Sequence, residues 1–307
     1  MKRNEYKKYL FKKCGSLDGK TAVVTGATGT IGKWIVIHLL TLGANVILAV
    51  RNTKKGEELK GELSKTFDAN KISVMGLDVA DFSSINKFAE SIKDININYL
   101  INNAGALHAQ QGSSGEDIQY LTNFVGPMYL TIKLLGQLDK QKNSRVVFQS
   151  SVSYRFSKID WNDPQGKKVK RDITKYARTK RMVNACIAAL RANELKKYKN
   201  VKAEIIHPGV CSTNIFGRDK NAFQRFISKV LRVLSRPLFH SGSTAALPAE
   251  MALTRDVPDN KVVAPWAFGI WGRPKLRNFS RKLMRPDEVG KAQALLDREM
   301  DRLKDKK

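Results

Sequence analysis

Three glycines spaced three residues apart, Gly26, Gly29 and Gly32, separate the apolar segment TAVVT from the helix-like segment KWIVIHLL. The first segment is short, β-branched and uncharged, as is typical of a buried parallel strand. A glycine turn of this kind lets the backbone approach a pyrophosphate, which the unpaired N–H groups and dipole of the next helix favour. Because glycine triplets also occur in ordinary connectors, the function of this turn has to be judged from the rest of the chain.

Strand-like and helix-like segments continue to alternate as far as Gly209. The further strand-like segments are NVILAV, KISVMGLDV, INYLINNAG, SRVVFQSS and VKAEIIHPG. This alternation predicts an α/β fold with a doubly wound parallel sheet, the Rossmann fold. We assign residues 1–18 to a basic N-terminal extension and residues 19–307 to one dinucleotide-binding domain. Within that domain we expect a helical substrate lid at 218–240 and a C-terminal helix at 285–307.

The charge balance is unusual, since 55 Lys and Arg face 28 Asp and Glu, a net charge of +27. Such a charge attracts anionic surfaces, but the basic residues are spread along the chain, which favours a general solubility role. No apolar run reaches the roughly 18 residues of a membrane span, and no apolar region comes after the basic N-terminus. We therefore expect a cytoplasmic protein. Peripheral contact of the 218–240 helix with an anionic membrane is the alternative, and nucleic acid is not expected as a partner.

A tyrosine and a lysine, Tyr176 and Lys180, lie four residues apart and so share one helix face. A phenol has a pKa of about 10, and a nearby ammonium group lowers it, which makes the tyrosine a usable acid or base. Ser150 and Ser151 end a strand upstream, where a hydroxyl can hydrogen-bond a carbonyl oxygen as charge develops on it. Asn123 lies inside a helical segment, where an amide faces solvent or binds something. The histidines and the three distant cysteines lack the spacing of metal ligands, so no metal site is predicted.

Arg51 ends the second strand-like segment, about 20 residues after the glycine turn, where a site for NAD presents an acidic residue to the ribose. A cation at this point suits a 2′-phosphate. The sequence therefore favours NADP(H) as cofactor, with NAD(H) as the alternative.

Seven features, taken in order along the chain, resemble the motifs of the short-chain dehydrogenase/reductases. They are TGATGTIG, LDV, NNAG, Asn123, the serine pair, YARTK and HPGVCST. The resemblance covers roughly Leu17 to Thr213. Within the family, the chain is most similar to the retinol-dehydrogenase and hydroxysteroid-dehydrogenase-like group. Three features carry this similarity: the segment AVRN, the segment YARTK, and the long insert between Ser151 and Tyr176. That similarity implies a bulky apolar alcohol or ketone as substrate, and family resemblance implies a homodimer or homotetramer.

The resemblance also implies roles for individual residues. Tyr176 would donate or accept the proton, Lys180 would lower its pKa and hold the nicotinamide ribose, Ser151 would polarise the carbonyl, and Asn123 would support a proton relay through water. The implied cofactor contacts are Gly26, Thr28, Gly29, Thr30, Ile31, Gly32, Arg51, Asn52, Asp78, Val79, Asn103, Ala104, Gly105, Tyr176, Lys180, Pro208, Gly209 and Thr213. The chain departs from the commonest pattern in one respect, because its middle glycine is Gly29 and not residue 30.

Two functions are open at this point. One is an oxidoreductase that transfers hydride between NADP(H) and a carbonyl or alcohol carbon of an apolar, lipid-like substrate. The other is a non-catalytic protein that senses nucleotides or binds anionic surfaces and retains the fold, as the charge of +27 suggests.

Overall fold

Eight strands form one sheet in the computed structural model, which describes residues 10, 12, 14–107, 115–209 and 241–304. The strand order is β3-β2-β1-β4-β5-β6-β7-β8, and every neighbouring pair is parallel except β7 and β8. The predicted doubly wound parallel sheet is therefore confirmed. The strands are β1 (Thr21–Thr25), β2 (Asn45–Val50), β3 (Ile72–Gly76), β4 (Tyr99–Asn102), β5 (Ser144–Gln149), β6 (Val201–Ile206), β7 (Lys261–Ala267) and β8 (Trp271–Asn278).

Helices cover both faces of the sheet. One face carries α1 (Thr30–Thr41), α2 (Thr53–Leu63) and α6 (Gly242–Thr254), and the other carries α3 (Phe82–Ser91), α4 (Gly126–Asp139), α5 (Asp172–Ala192) and α7 (Pro286–Lys304). Successive strand residues enter different cores, as with Val23 on one side and Val24 on the other. Leu10 and Leu17, from the basic N-terminal extension, are buried in the core under α1 and α6.

Helix ends lie close to their predicted positions. The segment GKWIVIHLLTLG predicts a helix that ends at Gly43, and Gly43 lies two residues after α1 with a φ of 97°. The sequence predicts a long helix from about residue 174 to 197. In the structure α5 covers Asp172–Ala192, and a separate 3-10 helix, Glu194–Lys197, comes after Asn193. The predicted lid at 218–240 lies outside the described residues. No described helix is long and apolar enough to cross a membrane.

The last two strands were missed because their sequences do not look like buried strands. β8, with the sequence WGRPKLRN, carries three cations, and each strand of the pair contains a proline. The charges and Pro274 are tolerated in β8 because it is the edge of the sheet, where one side makes no strand pairing. Pro265 of β7 lies opposite Pro274 and beyond the single pairing of β7 with β6, Ile206 with Val263. The antiparallel β8 thus covers β7, which would otherwise be the edge.

Gly126, at the start of α4, allows a close crossing beside the site. A Cβ at this position would overlap the carbonyl oxygen of Val79, whereas a Cβ at Gly136 on the same helix would meet nothing within 4 Å. We expect Gly126→Ala to destabilise the protein by about 3 kcal/mol through overpacking. Gly136→Ala, the matched control, should stabilise it by about 0.5–1 kcal/mol. Urea unfolding of both variants measures this, and equal effects would contradict the close packing.

Candidate active site

The glycine turn leaves an open helix N-terminus at the carboxyl end of β1. Gly26 has a φ of 64°, and a Cβ there would lie 2.9 Å from the Cα of Ala104. A Cβ on Gly32 would overlap the carbonyl oxygen of Gly26. Helix α1 has no side-chain cap at Gly29 and no acidic residue in its first turn. Thr28, Gly29 and Thr30 are exposed. The N–H groups of Gly26 and Gly29 donate to the carbonyl oxygens of Ala49 and Gly26, so the first turn of α1 is the part that offers N–H groups to a dinucleotide pyrophosphate.

Two polar side chains hold this turn against the end of β4. The Asn103 amide donates to the carbonyl oxygens of Thr25 (2.8 Å) and Gly26 (3.2 Å). The Thr25 hydroxyl accepts from the backbone N–H groups of Asn103 and Ala104, both at 3.0 Å. The side chain of Asn103 is thus used to fix the turn, and the close approach of Ala104 results from it.

Helix α5 brings the predicted tyrosine and lysine to the carboxyl edge of the sheet. Lys180 is buried, and its Nζ donates to the carbonyl oxygen of Gln149, the last residue of β5, at 2.7 Å. The same Nζ lies 5.6 Å from the ring centroid of the half-buried Tyr176. The ammonium group therefore bridges the tyrosine ring and the backbone beside the serine pair.

Burial dominates the ionisation of this pair. It raises the pKa of Tyr176 to about 12, and hydrogen bonding to the Ser151 side chain acts in the opposite direction. It lowers the pKa of Lys180 to about 8. The sequence predicts that Lys180 lowers the pKa of the tyrosine. In this structure the Ser151 hydrogen bond acts to lower the pKa of Tyr176, and the influence of Lys180, whose ammonium group lies over the ring, stays a prediction.

The two serines that come after β5 have different surroundings. Ser151 caps the 3-10 helix Val152–Phe156 and accepts from the Ser153 backbone N–H (3.3 Å) and hydroxyl (3.0 Å). Because Ser151 accepts these bonds, its own hydrogen remains available for donation. The Ser150 hydroxyl is buried and has no hydrogen-bond partner within the described part of the chain. Only Ser151 is thus in hydrogen-bonding contact with Tyr176.

Asn123 lies in a π-helical turn, Leu121–Val125, between the short helix Ile118–Tyr120 and α4. Its amide donates to the carbonyl oxygen of Ala106 (2.7 Å) and to the Thr179 hydroxyl (3.2 Å), and it accepts from the Ala106 N–H (2.8 Å). A Cβ on the neighbouring Gly105 would lie 3.1 Å from the Asn123 side-chain oxygen and 3.8 Å from Lys180 Nζ. The π turn therefore directs this amide at the loop after β4, and such turns occur frequently at functional sites.

The remaining predicted cofactor contacts lie along the same edge of the sheet. Arg51 is exposed after β2, and Asn52 caps α2 by accepting from the Lys55 N–H at 3.0 Å. Asp78 is half-buried and accepts from the Ala80 N–H, whereas Val79 is buried. Pro208 and Gly209 come shortly after β6, and Thr213 lies outside the described residues.

Three residues at the site were not predicted from the sequence. Gln149 contributes a backbone carbonyl, for which a sequence carries no signal. The Thr179 hydroxyl receives the Asn123 amide and donates to the Tyr176 carbonyl, and its position next to Lys180 was the available hint. His207, directly after β6, is buried against Gly269 of the β7–β8 turn, and burial lowers its pKa to about 3. Among the described residues no group of three or more potential metal ligands occurs.

The sheet order, the open glycine turn and the polar cluster at one edge define a dinucleotide-binding protein of the doubly wound class. Residues 20–222 match the family model for the short chain dehydrogenases. The chain belongs to this family, and it is an NAD(P)-dependent oxidoreductase that acts on alcohol and carbonyl groups. Membership favours the enzyme over the non-catalytic alternative.

Named relatives agree with this assignment, and solved structures share the fold. Retinol dehydrogenase 14 of Mus musculus is 30% identical over 245 residues, covering 75% of this chain and 70% of that protein. Dehydrogenase/reductase SDR family member 13 of Bos taurus is 32% identical over 227 residues, covering 73% of this chain and 58% of that protein. An uncharacterised Mycobacterium paratuberculosis protein has a TM-score of 0.75 at 26% identity, with 93% and 95% of the two chains covered. The Pseudomonas aeruginosa RhlG/NADP complex shares the fold, with a TM-score of 0.60 at 20% identity and coverage of 79% and 92%.

The two serines provide a matched test. We expect Ser151→Ala to lower kcat by about 10²–10³, because it removes a donor to the substrate oxygen. It also removes the group that lowers the pKa of Tyr176, so the fraction of phenolate at a given pH falls. The alkaline rise of alcohol oxidation should therefore shift to higher pH, measured as a pH–rate profile. Ser150→Ala should leave that profile in place, and a larger loss in Ser150→Ala than in Ser151→Ala would contradict the assignment.

Proposed function

We propose that the protein transfers hydride between NADP(H) and the carbonyl or alcohol carbon of an apolar substrate. The observation that carries this proposal is the meeting of Tyr176, Lys180, Ser151 and Asn123 at one edge of the sheet, beside the glycine turn. A binding module has no chemical need for these four groups together. When bound, the nicotinamide would supply or accept the hydride.

The chain's own groups handle the proton and the charge. Ser151 accepts from Ser153 and donates its own hydrogen to the substrate oxygen, which holds that oxygen as charge develops on it. In reduction Tyr176 gives its proton to the same oxygen, and in oxidation it removes that proton. Lys180, whose pKa burial lowers to about 8, is the ionisable group beside the tyrosine that exchanges protons near neutral pH. Asn123 and Thr179 fix the adjoining loop and helix.

A cationic cluster at the end of β2 supports the preference for NADP(H). Arg51, Lys54 and Lys55 are all exposed there, and the first turn of α2 has no acidic residue. A ribose 2′-phosphate placed next to the strand end would meet this positive charge, whereas a free 2′-hydroxyl would find no carboxylate from β2 or the first turn of α2.

Relatives and exposed aromatic groups support an apolar substrate. The relatives named as retinol dehydrogenases are about 30% identical to this chain, and retinol is an apolar alcohol. Phe156, at the end of the 3-10 helix that Ser151 caps, is highly exposed. An apolar substrate would cover such a side chain and remove its surface from water.

The sequence-derived expectations of a cytoplasmic location and of a homodimer or homotetramer stay predictions. Light scattering on the purified protein measures the oligomeric state directly. Fractionation of expressing cells, with and without a salt wash, separates a cytoplasmic protein from one held peripherally on membranes by charge.

Charge reversal at Arg51 tests the cofactor preference. We expect Arg51→Asp to weaken NADPH binding by at least about tenfold, because a cation is replaced by an anion facing the 2′-phosphate. NADH binding should be kept or improved, since an acidic residue suits its ribose hydroxyls. Nicotinamide fluorescence titration measures both constants. Lys65→Asp, with the same charge change just beyond α2, is the control, and an equal loss of NADPH binding there would refute a specific role for Arg51.

Removal of the tyrosine hydroxyl tests the chemistry. We expect Tyr176→Phe to lower the turnover of an apolar ketone by about 10²–10⁴, the usual contribution of a positioned general acid. NADPH binding should persist, because the ring that lies beside Lys180 is retained. Stopped-flow oxidation of NADPH, paired with the fluorescence titration, separates the two effects. Near-parental turnover in this variant would refute the proposed role.

A further inference from the structure

Large aromatic side chains are exposed at the tip of the β7–β8 hairpin. Trp266, Phe268 and Trp271 are 56%, 72% and 43% exposed, and the nearby Phe156 is 84% exposed. Scattered exposed apolar residues are ordinary, but a cluster of exposed aromatic groups at one turn marks an interaction surface. We call these three hairpin residues the aromatic tip.

The hairpin turn holds one of these aromatics in a strained conformation. The Ile270 N–H donates to the Ala267 carbonyl oxygen at 2.8 Å, and the two central residues, Phe268 and Gly269, have φ values of 53° and 74°. Two positive φ values define a type I′ turn, in which Asn-Gly is the preferred sequence. A bulky residue at positive φ is an outlier that lowers stability, and such strain is typical of functional positions.

The aromatic tip is fixed in place rather than collapsed onto the domain. Arg155 donates to the Phe268 carbonyl oxygen at 3.1 Å, and Arg277 donates to the Trp266 carbonyl oxygen at 2.8 Å. The Trp266 indole lies against Gly272, where a Cβ would overlap it. These contacts fix the backbone of the turn and the ring of Trp266 before any partner arrives, which reduces the entropy lost on binding.

Positive charge lies next to the aromatic tip along β8. That strand carries Arg273, Lys275 and Arg277, and the chain has no Asp or Glu between residues 261 and 285. Alternation along β8 places Trp271, Arg273 and Lys275 on one face of the strand, and all three are exposed. Aromatic rings next to Lys and Arg form the combination that suits the boundary between lipid headgroups and acyl chains.

The aromatic tip is also close to the candidate active site. Arg155, which holds Phe268, belongs to the 3-10 helix that Ser151 caps. Gly269 lies against His207, directly after β6. A surface that meets the aromatic tip is therefore brought to the mouth of the site.

We propose that the aromatic tip docks the protein on an anionic lipid surface. Trp266, Phe268 and Trp271 enter the headgroup region, while Arg273 and Lys275 lie at the lipid phosphates and carboxylates. The site mouth then faces the bilayer, where an apolar alcohol or ketone is concentrated. This inference rests on the proposed function for its substrate but assigns docking to the hairpin, not to the 218–240 segment.

Vesicle sedimentation tests the docking surface, with vesicles of phosphatidylcholine alone or mixed with phosphatidylserine. We expect the parent to bind the mixed vesicles in a salt-sensitive manner. Phe268→Asn, which creates the preferred Asn-Gly turn, should weaken binding by about tenfold or more without lowering the melting temperature. Phe268→Trp, with equal strain and a retained aromatic group, should keep binding. Lys275→Gln should weaken it by about fivefold, and Lys142→Gln, which lies just before β5 at the amino ends of the strands, should not.

Several outcomes overturn the docking proposal. The first is that the parent does not sediment with mixed vesicles, and the second is that it sediments equally with neutral vesicles. The third is that Phe268→Asn binds as well as the parent does, because binding would then belong to another segment such as 210–240. Turnover of a water-soluble ketone with NADPH is measured on the same samples. If the parent does not turn over the ketone, the proposed function is refuted. If Phe268→Asn keeps the turnover of the parent but no longer binds vesicles, the docking proposal is supported.

Discussion

The hydrogen bonds between Thr25 and Asn103 are the contacts on which the site depends. They join the ends of β1 and β4, so that the glycine turn and the loop after β4 are held at one distance. That distance leaves no room for a side chain at Gly26, which faces Ala104. The open N-terminus of α1 is oriented by the same contacts, because the turn leads directly into that helix. An amide and a hydroxyl thereby determine where an anionic ligand can approach.

Burial shapes the chemistry of the polar cluster as strongly as charge does. It disfavours both ionised forms, raising the pKa of Tyr176 and lowering that of Lys180. The lysine keeps a buried position because the Gln149 carbonyl, at the end of β5, accepts its hydrogen bond. The parallel sheet supplies such carbonyls where its strands end and its ladder stops. The edge that gathers the polar residues therefore also provides the backbone groups that make their burial tolerable.

Sequence patterns predict the features that depend on periodicity and on backbone freedom. β1, β2, β4, β5 and β6 are mostly apolar and buried, and the alternation of such strand segments with helices predicts the parallel sheet. β8 could not be predicted, because an edge strand with Arg273 and Lys275 lacks the apolar signal. The hydrogen bond from the Asn123 amide to Ala106 could not be predicted either, since it requires a π turn that no residue pattern indicates. Contacts made through backbone atoms leave no trace in the sequence.

The shifted middle glycine shows which positions the turn actually constrains. Gly29 has a φ of −73°, which any residue adopts, and a Cβ there would meet only the Gly26 carbonyl oxygen, at 3.3 Å. Thr30 occupies the first position of α1, where its side chain is exposed and tolerated. The demanding positions are Gly26, with its positive φ, and Gly32, which packs on the Gly26 carbonyl. Moving the middle glycine by one residue therefore leaves the phosphate-facing geometry intact, because the ends of the turn and not its centre carry the steric requirement.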